Sequence, residues 1–168
     1  MTMPATPADP TPFDLLRYQD PLTIQRVVHN ARTIAIVGLS KNELRASYFV
    51  GYYLKRHGYR VIPVNPREAE ILGEKSFKSL LDVPDPVDIV NVFRAPDALP
   101  AIAAEAVKIR AGNLWCQFSV INEEGARVAE AGGASGLEKS GRRRRYWRPP
   151  RTDVMRSVLK PSQCIRPT

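Results

Sequence analysis

The sequence predicts an α/β domain with a mostly parallel sheet of about five strands and helices on both faces. Three observations carry this. Apolar strand-like runs alternate with amphipathic helical segments four times along the chain. The first run is β-branched at all but Ala35 and closes abruptly on a glycine that opens a polar loop. Thr33 to Arg67 forms a complete strand, loop, helix and strand, the βαβ crossover that parallel pairing needs.

Met1 to Gln19 contains four prolines and little periodicity, and reads as a disordered or loosely packed arm. Asp20-Pro21 suits a helix start, an oxygen-bearing cap followed by proline at the first helical position. Ile24, Val27, Val28 and Ala31 would line one face of that helix and pack beside the first strand. Thr33 to Val37 is apolar enough for a strand buried on both faces. After the loop Gly38 to Ser47, residues Ala46, Phe49, Val50, Tyr53, Leu54 and His57 repeat at helical spacing, and His57-Gly58 closes that helix. Arg60 to Val64 is the second strand, ending at Asn65-Pro66-Arg67. Glu68 to Pro86 has mixed character, with a short helical candidate at Ser79 to Asp82. Val87 to Phe93 is a third strand, followed by an Ala-rich helix from Ala98 to Arg110 that Gly112 stops. Leu114 to Phe118 is a fourth strand, and Asn122-Glu123-Glu124 opens a helix running to Ala131.

The chain has 168 residues, enough for one domain with a real core plus tails, and a formal charge of +8. That charge is not spread evenly. Residues 139–168 hold ten Lys/Arg and one acid, so residues 1–138 are near neutral at −1. Cys116 and Cys164 are too few for a disulfide framework and lack metal-ligand spacing. With no long apolar run and no charged-then-apolar leader, the expectation is a soluble, cytoplasmic protein with no membrane partner.

Parallel sheets bind ligands at the carboxyl ends of their strands, where the strand order reverses. Those ends are the Gly38 loop, Asn65-Pro66-Arg67, Phe93-Arg94 and Gln117-Phe118-Ser119. They offer backbone N–H groups and hydroxyls, an amide with a guanidinium, and an aromatic with a guanidinium, all suited to phosphate or a heterocycle. Polar strand ends are also common in any α/β domain. Ser40 and Ser47 equally suit helix capping, Lys41 a solvated position, Arg45 a surface pair with Glu43, and Phe93 the core. Trp115 and Cys116 read as packing.

Gly38-Leu39-Ser40 lacks the further glycines of the dinucleotide fingerprint. No acid stands at Asn65, Pro66 or Arg67, where a carboxylate would hold a free adenosine ribose. A cation there instead favours a ribose that already carries a phosphate, as in NADP or coenzyme A.

Ile36 to Ser40, Arg45 to Tyr48, Gly58 to Pro66, Leu72 to Lys75, Asp88 to Arg94 and Trp115 to Gln117, in unbroken order, resemble the stand-alone CoA-binding proteins. Their Rossmann-like domain is similar to the CoA-binding domain of succinyl-CoA synthetase. The resemblance covers about residues 21–132 and implies coenzyme A, or an acyl-CoA, along the sheet's carboxyl edge. Carried over by position, Gly38, Leu39, Ser40 and Lys41 would hold the pyrophosphate, flanked by Arg45 and Ser47. Asn65, Pro66 and Arg67 would meet the 3′-phosphate end, and Phe93 with Arg94 would wall the adenine side. Gln117, at the fourth strand end, is a further candidate.

Catalysis is not expected. His29 and His57, the only histidines, fall away from this edge. The expected division is an arm over residues 1–19, a CoA-binding domain over 20–132 and a basic segment over 133–168. That last segment departs from the resemblance. Val154 to Lys160 is its one candidate for a last strand, and the remainder reads as an insertion, a basic arm or the product of a shifted reading frame. With Tyr146 and Trp147 among its arginines it could also contact nucleic acid through phosphate neutralisation and stacking.

Overall fold

All four apolar runs become strands of one sheet in the computed structural model, which describes residues 21–117, 120, 122–132 and 164–165. In chain order the elements are α1 (Pro21–Asn30), β1 (Thr33–Val37), α2 (Ala46–Arg56), β2 (Arg60–Val64), β3 (Glu70–Ile71), β4 (Glu74–Lys75), β5 (Ile89–Val92), α3 (Leu99–Lys108), β6 (Asn113–Cys116), α4 (Glu123–Ala131) and β7 (Cys164–Ile165). The main sheet has the order β2-β1-β5-β6-β7. Its first four strands are parallel, and β7 runs antiparallel against Leu114 and Trp115 of β6. This is a mostly parallel, Rossmann-like sheet. Val154 to Lys160, the sequence's candidate for the last strand, lies outside the described residues, as do the 1–19 arm and the Arg-rich stretch.

Strands buried on both faces need a helix layer on each side, and their alternating side chains feed two apolar clusters. Ile34, Ile36, Ile89 and Trp115 pack with Val27 and Val28 of α1 and Val50 and Leu54 of α2. Ala35, Val90, Val92, Leu114 and Cys116 pack on the other side with Leu99, Ala103 and Ala106 of α3 and Ala126 and Ala129 of α4. Crossovers β1-α2-β2 and β5-α3-β6 therefore lie on opposite faces, which is why the strand order reverses between β1 and β5.

Two local details differ from the sequence reading. The Ala-rich helix begins at Leu99, preceded by a 3₁₀ turn over Pro96–Ala98, and ends at Lys108. The stretch after Arg67 holds a two-residue antiparallel hairpin, β3-β4, whose turn residues Leu72 and Gly73 have φ of 57° and 72°. Positive φ at both turn positions is the geometry of the tightest hairpins. Past that hairpin, Phe77 donates to Pro63 and accepts from Asn65, covering the open edge of β2. Ser79 caps the short 3₁₀ turn Leu80–Asp82.

At the amino edge Asp88 ties β1 to β5. Its Oδ2 accepts the N–H groups of Arg32 at 2.8 Å and Thr33 at 2.9 Å, while its own N–H donates to the Thr33 carbonyl at 3.0 Å. Tyr59 closes the same end of β2, its buried hydroxyl donating to the Val28 carbonyl of α1 at 3.2 Å. Burial, helped by the neighbouring Tyr53, pushes that hydroxyl up to about 12.

Replacing Asp88 by Ala strands two backbone donors and should cost about 2–3 kcal/mol in urea denaturation, given what charge-assisted hydrogen bonds contribute. An unchanged midpoint would show that these bonds hold nothing. Because the folded Tyr59 pKa lies above its unfolded value near 10, its contribution is complete below pH 10 and fades as pH climbs towards about 12. Tyr59→Phe should therefore flatten the alkaline decline in stability over that interval; identical pH profiles would refute the assignment.

Candidate functional site

The parallel strands end level. Val37 stands opposite Val64 on one side and Val92 on the other, and Val92 stands opposite Cys116. Beyond them the ladder continues for one more bond each: Gly38 donates to Val64, Phe93 to Val37, and Gln117 to Val92. The loops carrying Gly38, Asn65, Phe93 and Gln117 thus leave from one edge, side by side.

Since β1 and β5 send their helices to opposite faces, the strand order reverses between them, and the Gly38 loop and Phe93-Arg94 flank that switch point. Gly38 stands there with φ at 86°. A Cβ there would lie 2.6 Å from the Phe93 carbonyl oxygen and 2.9 Å from Cδ of Arg94. Only a residue without a side chain fits so close a backbone crossing.

The loop into α2 is tied on both sides. Leu39 is fully buried in the α1/α2 cluster, and Gly51 of α2 packs onto it so closely that an added Cβ would sit 2.9 Å from the Leu39 side chain. Asn65 Nδ2 donates to the Leu39 carbonyl at 2.8 Å, joining this loop to the one after β2. Ser47 Oγ accepts the Ser40 N–H, Ser40 Oγ accepts the Asn42 N–H, and Asn42 Oδ1 accepts the Leu44 N–H. The two serines therefore brace the loop, and neither occupies the cap position of α2. Arg45 does, in extended conformation and with no side-chain hydrogen bond to the first turn. Among the described residues none accepts the N–H of Leu39, Lys41, Ala46 or Ser47. An uncapped helix start beside a loop with spare donors has the donor set that an anion cradle uses.

Around it Arg45, Arg67 and Arg94 are exposed, and no ion pair joins them to a described carboxylate. Glu43 accepts from the Tyr48 hydroxyl at 3.3 Å and makes no pair with Arg45. Pro66 lies exposed in a turn in which the Arg67 N–H donates to Asn65 Oδ1 at 3.0 Å. Phe93 is half-buried, one side against the α1/α2 cluster. Lys41 pairs with Glu68 at 3.0 Å.

Gln117 is committed inward, its Nε2 donating to Asn91 Oδ1 at 2.8 Å. Asn91 and its strand neighbour Trp115 are buried, and Asn91 Nδ2 and Trp115 Nε1 have no hydrogen-bond partner among the described residues. Sequence reading missed Asn91 and Glu68. A lone amide between Val90 and Val92 was the available signal for the first, and the second had none short of the fold.

The remaining candidates stand apart. His29 ends α1, and His57 follows the far end of α2, where it stacks on Tyr53. Among the described residues no cluster of His, Cys, Asp or Glu would hold a metal ion, and no helix is long and apolar enough to cross a membrane.

Comparison with known proteins agrees with this architecture. Residues 32–140 match the family described as "CoA binding domain". The chain is 38% identical over 110 residues to the uncharacterised protein YneT of Bacillus subtilis, covering 66% of this chain and 82% of that one. It is 34% identical over 77 residues to an ADP-forming acetate–CoA ligase of Methanocaldococcus jannaschii, a match covering 46% of this chain and only 11% of the ligase. Among solved structures, a hypothetical protein from Pyrococcus horikoshii OT3 superposes with a TM-score of 0.65 at 35% identity, over 67% of this chain and 79% of that one.

Gly38→Ala should destabilise the fold by about 2–3 kcal/mol, since it adds a backbone clash to a positive φ. Gly58→Ala is the control: its φ is 84°, yet nothing lies within 4 Å of the added carbon. Equal losses in denaturant titrations of the two variants would mean that the crossing over Phe93 is not tight.

Proposed function

The chain belongs to the CoA binding domain family, and from that premise we propose that it binds coenzyme A, or an acyl-CoA, along the carboxyl edge of the sheet without catalysis of its own. The observation that carries this reading is the uncapped start of α2 above Gly38. Donors at Leu39, Lys41, Ala46 and Ser47 suit a pyrophosphate, which supplies the acceptors that no cap provides. Gly38 lets that group approach the backbone, Ser40 holds the loop's shape, and Arg45 flanks it with charge. Asn65, Pro66 and Arg67 take the adenosine 3′-phosphate end. Phe93 and Arg94 wall the adenine side, and Gln117, anchored on Asn91, closes the far margin.

The reading of a binding module rests on where the titratable groups lie. His57 sits a full helix length from the cradle and His29 on another helix, so neither reaches a ligand there. The ligase relatives name CoA as a substrate, and this chain matches only a small part of their length. Their ligation chemistry is not assigned to it.

Calorimetric titration should give tighter binding of CoA than of NADP, and weaker binding still of NAD; a preference for NADP would remove the proposed ligand. Arg67→Glu places an acid beside the 3′-phosphate and should weaken CoA roughly tenfold more than dephospho-CoA, from the cost of a like charge at close range. Equal losses for both would reject the placement of the 3′-phosphate.

A further inference from the structure

Resting on the CoA reading, we propose that the Lys41–Glu68 ion pair sets the site's selectivity for a 3′-phosphorylated adenosine. Lys41 does so by neutralising a carboxylate that would otherwise suit an unphosphorylated ribose.

In nucleotide-binding sheets of this topology, an acid at the end of the second strand accepts hydrogen bonds from the free ribose hydroxyls. The three residues after β2 supply none, but Glu68 is the fourth, and the turn brings it back to the edge. The Glu68 N–H donates to the Asn65 carbonyl at 3.4 Å, and Asn65 is in turn tied to Leu39 of the opposite loop. The carboxylate therefore stands at the rim of the cradle, where Lys41 Nζ meets it at 3.0 Å. Glu68 keeps only 25% of its side-chain exposure against 68% for Lys41, so the acid is the partly withdrawn member of the pair.

An ion pair this exposed adds little to folding, and Asn65 already links the two loops. What the pair does change is the charge facing the ligand. With Glu68 neutralised, the loop after β2 presents the net positive charge of Arg67 to a 3′-phosphate. Remove the ammonium and the carboxylate cancels Arg67, so that a free ribose becomes the better fit and a phosphate the worse. The Lys41 backbone N–H stays available for the pyrophosphate, because only its side chain is engaged.

The test is a double-mutant cycle, read as the ratio of dephospho-CoA to CoA dissociation constants, with thermal melts confirming that each variant is folded. In the wild-type chain the ratio should exceed one. Lys41→Met should lower it on the order of fivefold, the effect of one unscreened charge near a phosphate. Lys41→Met combined with Glu68→Gln should restore it, and Glu68→Gln alone should leave it at or above the wild-type value. If Lys41→Met weakens both ligands alike and Glu68→Gln restores nothing, Lys41 is a pyrophosphate ligand and the proposal is wrong. An unchanged ratio across the cycle also overturns it while leaving CoA binding intact. A wild-type chain that binds neither ligand would overturn the CoA reading itself, and this proposal with it.

Discussion

Everything at the carboxyl edge follows from the level ending of parallel strands. Because Val37, Val64, Val92 and Cys116 stand in register, the next backbone N–H of each inner loop still finds a carbonyl on its neighbour. The loops begin fixed in height and direction before any side chain acts. A slip of one residue would turn Ala35 and Val90 to the wrong cluster, so the same apolar alternation that builds the core also fixes the edge. Asp88 holds that register from the opposite end, where the strands start.

Helix α2 has two jobs that pull on its sequence differently. Along its length it must lie close to the sheet, and Gly51 allows it to press on Leu39. At its start the backbone donors are left unclaimed: the two nearby serines are spent within the loop and an arginine takes the cap position. A Ser or Asp at that position would typically add about 1 kcal/mol to the helix. The chain forgoes that stability here, and again at α3, which follows Phe93-Arg94 from the same edge with Ala98 at its cap position and no side-chain cap. By contrast α4 is capped by Asn122, whose Oδ1 accepts the Gly125 N–H.

Such features were unequally visible in the sequence. Thr33–Val37, Arg60–Val64 and Ile89–Val92 could be read because strands buried on both faces are continuous apolar runs, and α2 because Val50 and Leu54 recur at helical spacing. Those elements place Gly38, Asn65, Phe93 and Gln117 on one edge without any knowledge of coordinates. The β3-β4 hairpin could not be read, since its strands are two residues each and Leu72 sits at positive φ where sequence rules look for Asn or Gly. Cys164–Ile165 is as short, and its pairing with β6 spans a long stretch of chain. Lys41 was legible as a cation in the loop after β1. That Glu68 would meet it depends on how the Asn65 turn folds back, a tertiary fact with no local signature. Asn91 differs: an amide inside an apolar run buried on both faces was a local signal, but its pairing with Gln117 was not.

Net charge would have misdirected the choice of partner. The positive excess of the whole chain resides in residues 139–168, while residues 1–138 carry −1. A nearly neutral body can still attract a polyanion if its cations are gathered and its acids occupied. Here Arg45, Arg67 and Arg94 come from three different loops onto one edge, and two acids of those loops are engaged elsewhere, Glu43 by the Tyr48 hydroxyl and Glu68 by Lys41. Over the distance of a phosphate contact, a few ångströms against a screening length of about 8 Å, this local arrangement outweighs the sum over the chain. The sheet's topology, by bringing those loops together, does what composition alone cannot.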